Sequence, residues 1–73
     1  MVLSNEQKNN LENYFKEKNI NGKIHNYINL NTKIEFIQDL SIDIIEKIIE
    51  ILNINKKFVL IRSFQNKIFL ILK

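Results

Sequence analysis

Residues 58–73 read FVLIRSFQNKIFLILK, two runs of β-branched and aromatic residues on either side of Gln65-Asn66. Runs of this composition form strands, and a two-residue break between them forms a hairpin. Strands with one wet face alternate apolar and polar residues, but here both faces are apolar. With Gln65 and Asn66 as the turn, Val59, Ile61, Ser63, Ile68, Leu70 and Leu72 share one face. Phe58, Leu60, Arg62, Phe64, Lys67, Phe69, Ile71 and Lys73 share the other, and a slip of one residue would exchange them. A three-residue loop regroups the side chains without making either face polar. The two-residue register is favoured because it keeps Arg62, costly to bury unpaired, off the all-aliphatic face.

Working back towards the N-terminus, DLSIDIIEKIIEILN at residues 39–53 reads as a helix capped by Ser41 or Asp39, with Asp43 well placed for the helix dipole. At about 100° per residue, Asp43, Glu46, Lys47, Glu50 and Asn53 fall on one arc. Ile44, Ile45, Ile48, Ile49, Ile51 and Leu52 fall on the opposite one, wide enough to touch a second helix or a second chain as well as a sheet. KIHNYINLNTKIEFI at 23–37 reads as an earlier hairpin with Asn31 and Thr32 at or near its turn. A loop from Leu30 to Thr32 would put Ile24, Ile28, Ile34 and Phe36 on one face, with His25, Tyr27, Asn29, Lys33 and Glu35 on the other. Ser4-Asn-Glu-Gln7 is a capping box, so a first helix starts near Asn5, with Leu11, Tyr14 and Phe15 as its narrow apolar stripe. Asn19 to Gly22 ends it, Gly22 being the one residue that takes positive φ without steric cost.

The order αββαββ predicts a small two-layer α+β domain over residues 1–73, an alpha-beta sandwich with a four-stranded, largely antiparallel sheet and two helices on one face. It also hints at a repeated αββ unit. At an offset of 34 the hairpins match at Lys23 with Lys57, Lys33 with Lys67, Ile34 with Ile68 and Ile37 with Ile71, in a chain so rich in Ile and Lys that chance supplies part of the match.

A core of this size seldom supplies more than about 3–5 kcal/mol, and small folds usually add a staple. The chain has no cysteine and one histidine, His25, so a metal site would have to be nearly all carboxylate, and no cofactor is expected. Homodimerisation, or docking on a larger protein partner, is the remaining staple. Eleven Lys and Arg against eight Asp and Glu give a net charge of +3, a weak preference for anionic partners. Ile, Asn and Lys make up about half the chain, as an AT-rich genome produces whatever the function. The N-terminus lacks the pattern of a signal peptide, and no apolar run approaches the roughly 20 residues of a spanning helix. The expectation is a cytoplasmic, intracellular protein without a membrane partner, in the host cell if viral.

Two helices cover one sheet face. On the other, Phe58, Leu60, Phe64, Phe69 and Ile71 would leave a patch of roughly a few hundred Å², near the upper limit for soluble monomers. At about 25 cal/mol per Å² its burial is comparable to the stability of the whole domain. IFLIL would also be an aggregation hazard as an exposed edge. A curled sheet that covers itself, or a central C-terminal strand, is the bland alternative. No enzyme motif is present: there is no nucleophile constellation and no glycine-rich loop. Glu46 and Glu50 share a solvated face with Lys47, and His25 lies on a polar face. The favoured reading is a non-enzymatic interaction protein, an inhibitor, adaptor or regulatory subunit, including a phage or mobile-element factor. Phe58, Leu60, Arg62, Phe64, Phe69 and Ile71 form its expected interface. The runner-up is nucleic-acid binding, with rings stacking on bases and Arg62, Lys67, Lys73, Lys56 and Lys57 meeting phosphates.

Overall fold

The computed structural model describes every residue from Met1 to Lys73. The chain runs α1 (Asn5–Glu17), β1 (Gly22–His25), β2 (Thr32–Phe36), α2 (Ile42–Leu52), β3 (Val59–Phe64) and β4 (Lys67–Leu72), with a short 3-10 turn at Lys56–Phe58 leading into β3. This is the expected αββαββ order of an α+β domain. The four strands form one antiparallel sheet in the order β1-β2-β4-β3. The C-terminal strand is therefore central, and the edge exposed at that end of the sheet is β3, not IFLIL.

Each helix begins and ends for a local reason. The Ser4 hydroxyl accepts from the Gln7 amide at 3.1 Å while Gln7 Oε1 accepts from the Ser4 amide at 2.9 Å, completing the capping box. Gln7 Nε2 also donates to the Leu52 carbonyl at 3.1 Å, satisfying an otherwise free acceptor at the end of α2. Ser41 caps α2, accepting from the Ile44 amide at 3.3 Å. Both helices stop at an asparagine in the left-handed region, Asn19 (φ 54) and Asn53 (φ 53). The next residue then reaches back across the last turn, Ile20 N–H to Phe15 O at 2.8 Å and Ile54 N–H to Ile49 O at 3.3 Å, the Schellman pattern.

Gly22 does not supply the positive φ expected of it, because Asn19 does. Its role is space. A Cβ at Gly22 would lie 2.7 Å from Phe15 Cε2 and 2.9 Å from Phe36 Cε1, two rings packed edge to face with centroids 5.5 Å apart. They belong to the core formed by Leu3, Leu11, Phe15, Ile20, Ile34, Phe36, Ile48, Leu52, Leu70 and Leu72, which fills the layer between the helices and one sheet face.

The first hairpin differs from expectation in its loop, which runs from Asn26 to Asn31. Ile28, expected on the core face, is 87% exposed, while Thr32, expected at the turn, opens β2 and is fully buried. The cause is a polar clasp to the N-terminal segment that periodicity does not reveal. The Asn26 side chain accepts from the Leu3 amide at 2.9 Å and donates to its carbonyl at 3.0 Å. The Thr32 hydroxyl lies 2.7 Å from Met1 O and 2.6 Å from Asn26 Oδ1, its single proton shared between two acceptors. The second hairpin has the two-residue turn, with Phe64 paired to Lys67 and φ of 50° at Gln65 and 62° at Asn66. Two positive φ values in succession make the turn type I′, whose twist matches that of the strands.

Candidate functional site

Strand alternation and the observed register fix what the helix-free face carries. One row runs His25, Lys33, Ile71, Leu60, and the next Lys23, Glu35, Phe69, Arg62. Lys67 and Phe64 follow beyond it, and Phe58 and Lys73 close the other end, where the Lys73 amide donates to Phe58 O at 2.8 Å. Phe64 is 64% exposed and Phe58 45% exposed. The central position of β4 leaves Phe69 and Ile71 half-buried.

All six expected interface residues, Phe58, Leu60, Arg62, Phe64, Phe69 and Ile71, thus lie on one face, together with Lys67 and Lys73. Lys56 does not join them. It turns to the helix side, 3.8 Å from Glu46, and Lys57 stands 5.3 Å from the centroid of the Phe58 ring.

The first hairpin adds residues that a separate reading of it left as ordinary solvent-facing positions. Because β2 pairs with β4, Lys23 and Lys33 extend the same surface. It now carries five cations, Lys23, Lys33, Arg62, Lys67 and Lys73, against one carboxylate, Glu35. Of eleven cationic and eight acidic residues in the chain, that leaves six cations and seven carboxylates elsewhere. The whole positive excess sits on the helix-free face.

Glu35 is held from two sides. Lys67 Nζ is 3.1 Å from Oε2 and His25 Nε2 is 3.1 Å from Oε1. The Lys67 hydrogen bond, and after it that of His25, holds the Glu35 carboxyl below the usual carboxylate range. His25 in turn stacks with Tyr27, the ring centroids 6.3 Å apart at 21°.

At one end of this face Tyr27, Leu30, Leu60 and Ile71 line a hollow of about 460 Å³ together with Lys33, Arg62 and Lys73. The ion pairs of the molecule involve Lys8, His25, Lys47, Lys56 and Lys67, so the three cations of the hollow have no carboxylate partner. An apolar floor with unpaired cations at its rim suits a ligand with a flat apolar part and a negative charge. No helix is long and apolar enough to cross a membrane. No family model, curated protein or solved structure gives a significant match to the chain, so the reading of this face rests on its own chemistry.

Proposed function

We propose that this protein is a non-enzymatic binding module whose helix-free sheet face takes single-stranded nucleic acid, in the intracellular setting that its sequence suggests. The observation that carries the reading is the charge segregation, five cations to one carboxylate on this face and a slight acidic excess elsewhere. An AT-rich genome raises the lysine count but does not sort lysines by face. Exposed Phe58, Phe64 and Tyr27 offer rings on which bases stack, at about 1–3 kcal/mol each. Lys33, Arg62 and Lys73 meet the backbone phosphates, with Lys23 and Lys67 further along the strand's path. A lone arginine among lysines suits tracking of a backbone by point charges more than bidentate readout of bases, so little sequence preference is expected.

The second reading is docking on another protein, as an inhibitor, adaptor or regulatory subunit. It is favoured by Leu60 and Ile71 on the same face, which stacking does not require. The two readings separate in a titration with a labelled single-stranded oligonucleotide at about 50 and about 200 mM salt. Nucleic-acid binding predicts an affinity that falls steeply over that range, and a slope of log K against log salt reduced by about 2 when Lys33, Arg62 and Lys73 are replaced by Gln, at about 0.7 per phosphate contact. Absence of binding at the lower salt would leave the protein-docking reading.

A further inference from the structure

The edge strand β3 offers a second interaction surface, distinct from the sheet face. Phe64 pairs with Lys67 across a two-residue turn, so Leu60, Arg62 and Phe64 direct their backbone groups towards β4, as does the Phe58 carbonyl, which accepts from the Lys73 amide, while the Phe58 amide donates to Asn55 O. Val59, Ile61 and Ser63 direct theirs to the open edge. The Val59 amide is taken by Lys56 O, leaving the Val59 carbonyl and both backbone groups of Ile61 and Ser63 without a strand partner. Natural edges are usually blunted by proline, a bulge, a covering loop or brevity. The other edge, β1, is four residues long and carries exposed Lys23. β3 has six residues, no proline and an unbroken register.

We propose that β3 pairs antiparallel with β3 of a second copy of this chain, joining two sheets into one of eight strands. The pairing is self-complementary about Ile61. Ile61 then faces its own counterpart through two hydrogen bonds, and each Val59 carbonyl accepts from the other copy's Ser63 amide. On the helix-free side Phe58 lies opposite Phe64 and Leu60 opposite Arg62, so the two guanidinium groups are never directly opposed. On the helix side Val59 and Ile61 form, with Ile42, Ile45 and Ile49 of α2, a largely apolar cleft of about 260 Å³, with the Glu46–Lys56 ion pair also in its lining. Ile42 is 73% and Ile61 54% exposed along it. The second copy brings its own cleft to the seam, so the two close against each other.

Charge decides between this arrangement and a face-to-face dimer. Stacking two helix-free faces would set five cations and one carboxylate against the same set, a like-charge juxtaposition that costs several kcal/mol. The edge pairing leaves both faces free and, with its twofold axis normal to the sheet, turns them to the same side as one doubled binding surface. A seam the length of β3, about 20 Å, and as deep as the molecule's shortest dimension, 20 Å, spans roughly half the ~800 Å² per partner of a standard interface. The dimer is therefore concentration-dependent.

Sedimentation of the full chain from low-micromolar to millimolar concentration should show a reversible monomer–dimer equilibrium. Ser63→Pro removes an edge donor and no hydrogen bond within the monomer, and Ile61→Lys places a charge at the centre of the seam. Each should leave a monomer with native circular dichroism. In the wild type, exchange of the Ile61 and Ser63 amides should slow by about tenfold or more across that range, a readout that holds even if a variant fails to fold. A monomer at every concentration overturns the proposal. So does a dimer that survives both edge variants, or one that dissolves only when Phe69→Asp alters the sheet face.

Discussion

Glu35 and Phe69 stand opposite each other where the two hairpins join, and each occupies the other's position in its own αββ half. The pairs on either side, Ile34 with Leu70 and Phe36 with Ile68, exchange under the same 34-residue shift that takes 35 to 69. So do the helix ends, Asn19-Ile20 and Asn53-Ile54, with their matching left-handed caps. The β2–β4 seam thus lies on a local twofold axis. Lys33 with Lys67 and Ile34 with Ile68 are true counterparts. Lys23 and Lys57 are not, because the first half has a short helix-to-strand link and a long hairpin loop, and the second half the reverse.

Glu35 is the one carboxylate on a basic face, and its removal gives the first prediction. Glu35→Gln frees Lys67 for a phosphate, so single-strand affinity should rise several-fold at low salt and the salt slope steepen by about 0.7. Its folded-state pKa lies below its unfolded one, so the pairing stabilises the fold above the usual carboxylate range and is lost as pH falls through the lowered value. The wild type should therefore lose slightly more stability than Glu35→Gln on acidification, as read by denaturation midpoints at neutral and acid pH. A steeper acid loss in the variant would contradict the pairing.

Phe64 tests whether the exposed rings serve binding or folding. It lies at the wet end of the hairpin, so Phe64→Ala should change stability by no more than about 0.5 kcal/mol. Its loss from a stacking surface should weaken single-strand binding by about 1–3 kcal/mol. Parallel urea denaturation and oligonucleotide titration give both values, and equal changes in the two would argue against a binding role.

Gly22→Ala should destabilise the fold by about 1–3 kcal/mol, the usual cost of overpacking a tight core. The added methyl meets two buried rings, Phe15 and Phe36, which must shift to admit it, and backbone strain plays no part since no glycine has positive φ. A thermal midpoint unchanged from wild type would show that the rings yield.

Gln65 carries positive φ without the short side chain that makes asparagine tolerant of it. Gln65→Gly, which takes positive φ without steric cost, should raise stability by up to about 1 kcal/mol. A lower melting temperature would mean that the turn takes another form in solution.

The Asn26 clasp is the least legible feature in the sequence and should be among the more sensitive. Asn26→Ala strips hydrogen bonds from both backbone groups of Leu3 and one acceptor from buried Thr32, at about 1–3 kcal/mol. Denaturation midpoints measure it.

What the sequence made legible was local. Ser4 and Ser41 announced their helices, and Gln65-Asn66 with Arg62 set the faces of the last hairpin, because caps and two-residue turns act through neighbours in the chain. The clasp of Asn26 to Leu3 spans 23 residues, and no periodicity signals a polar contact at that distance. The basic face stayed hidden for a similar reason. Lys23 and Lys33 belong to it only because β2 pairs with β4, and strand order is not written in either hairpin. Gly22 misled because glycine answers two needs, positive φ and close approach, that look alike in sequence.

The most direct test of the binding face is a nuclear magnetic resonance titration of the full chain with a single-stranded oligonucleotide at low salt. Shifts should concentrate at the backbone amides of Lys33, Leu60, Arg62, Phe64, Phe69, Ile71 and Lys73, and the solvent sides of α1 and α2, at Glu12 and Glu50, should stay unmoved. Shifts confined to the helices, or none at saturating oligonucleotide, would contradict the account.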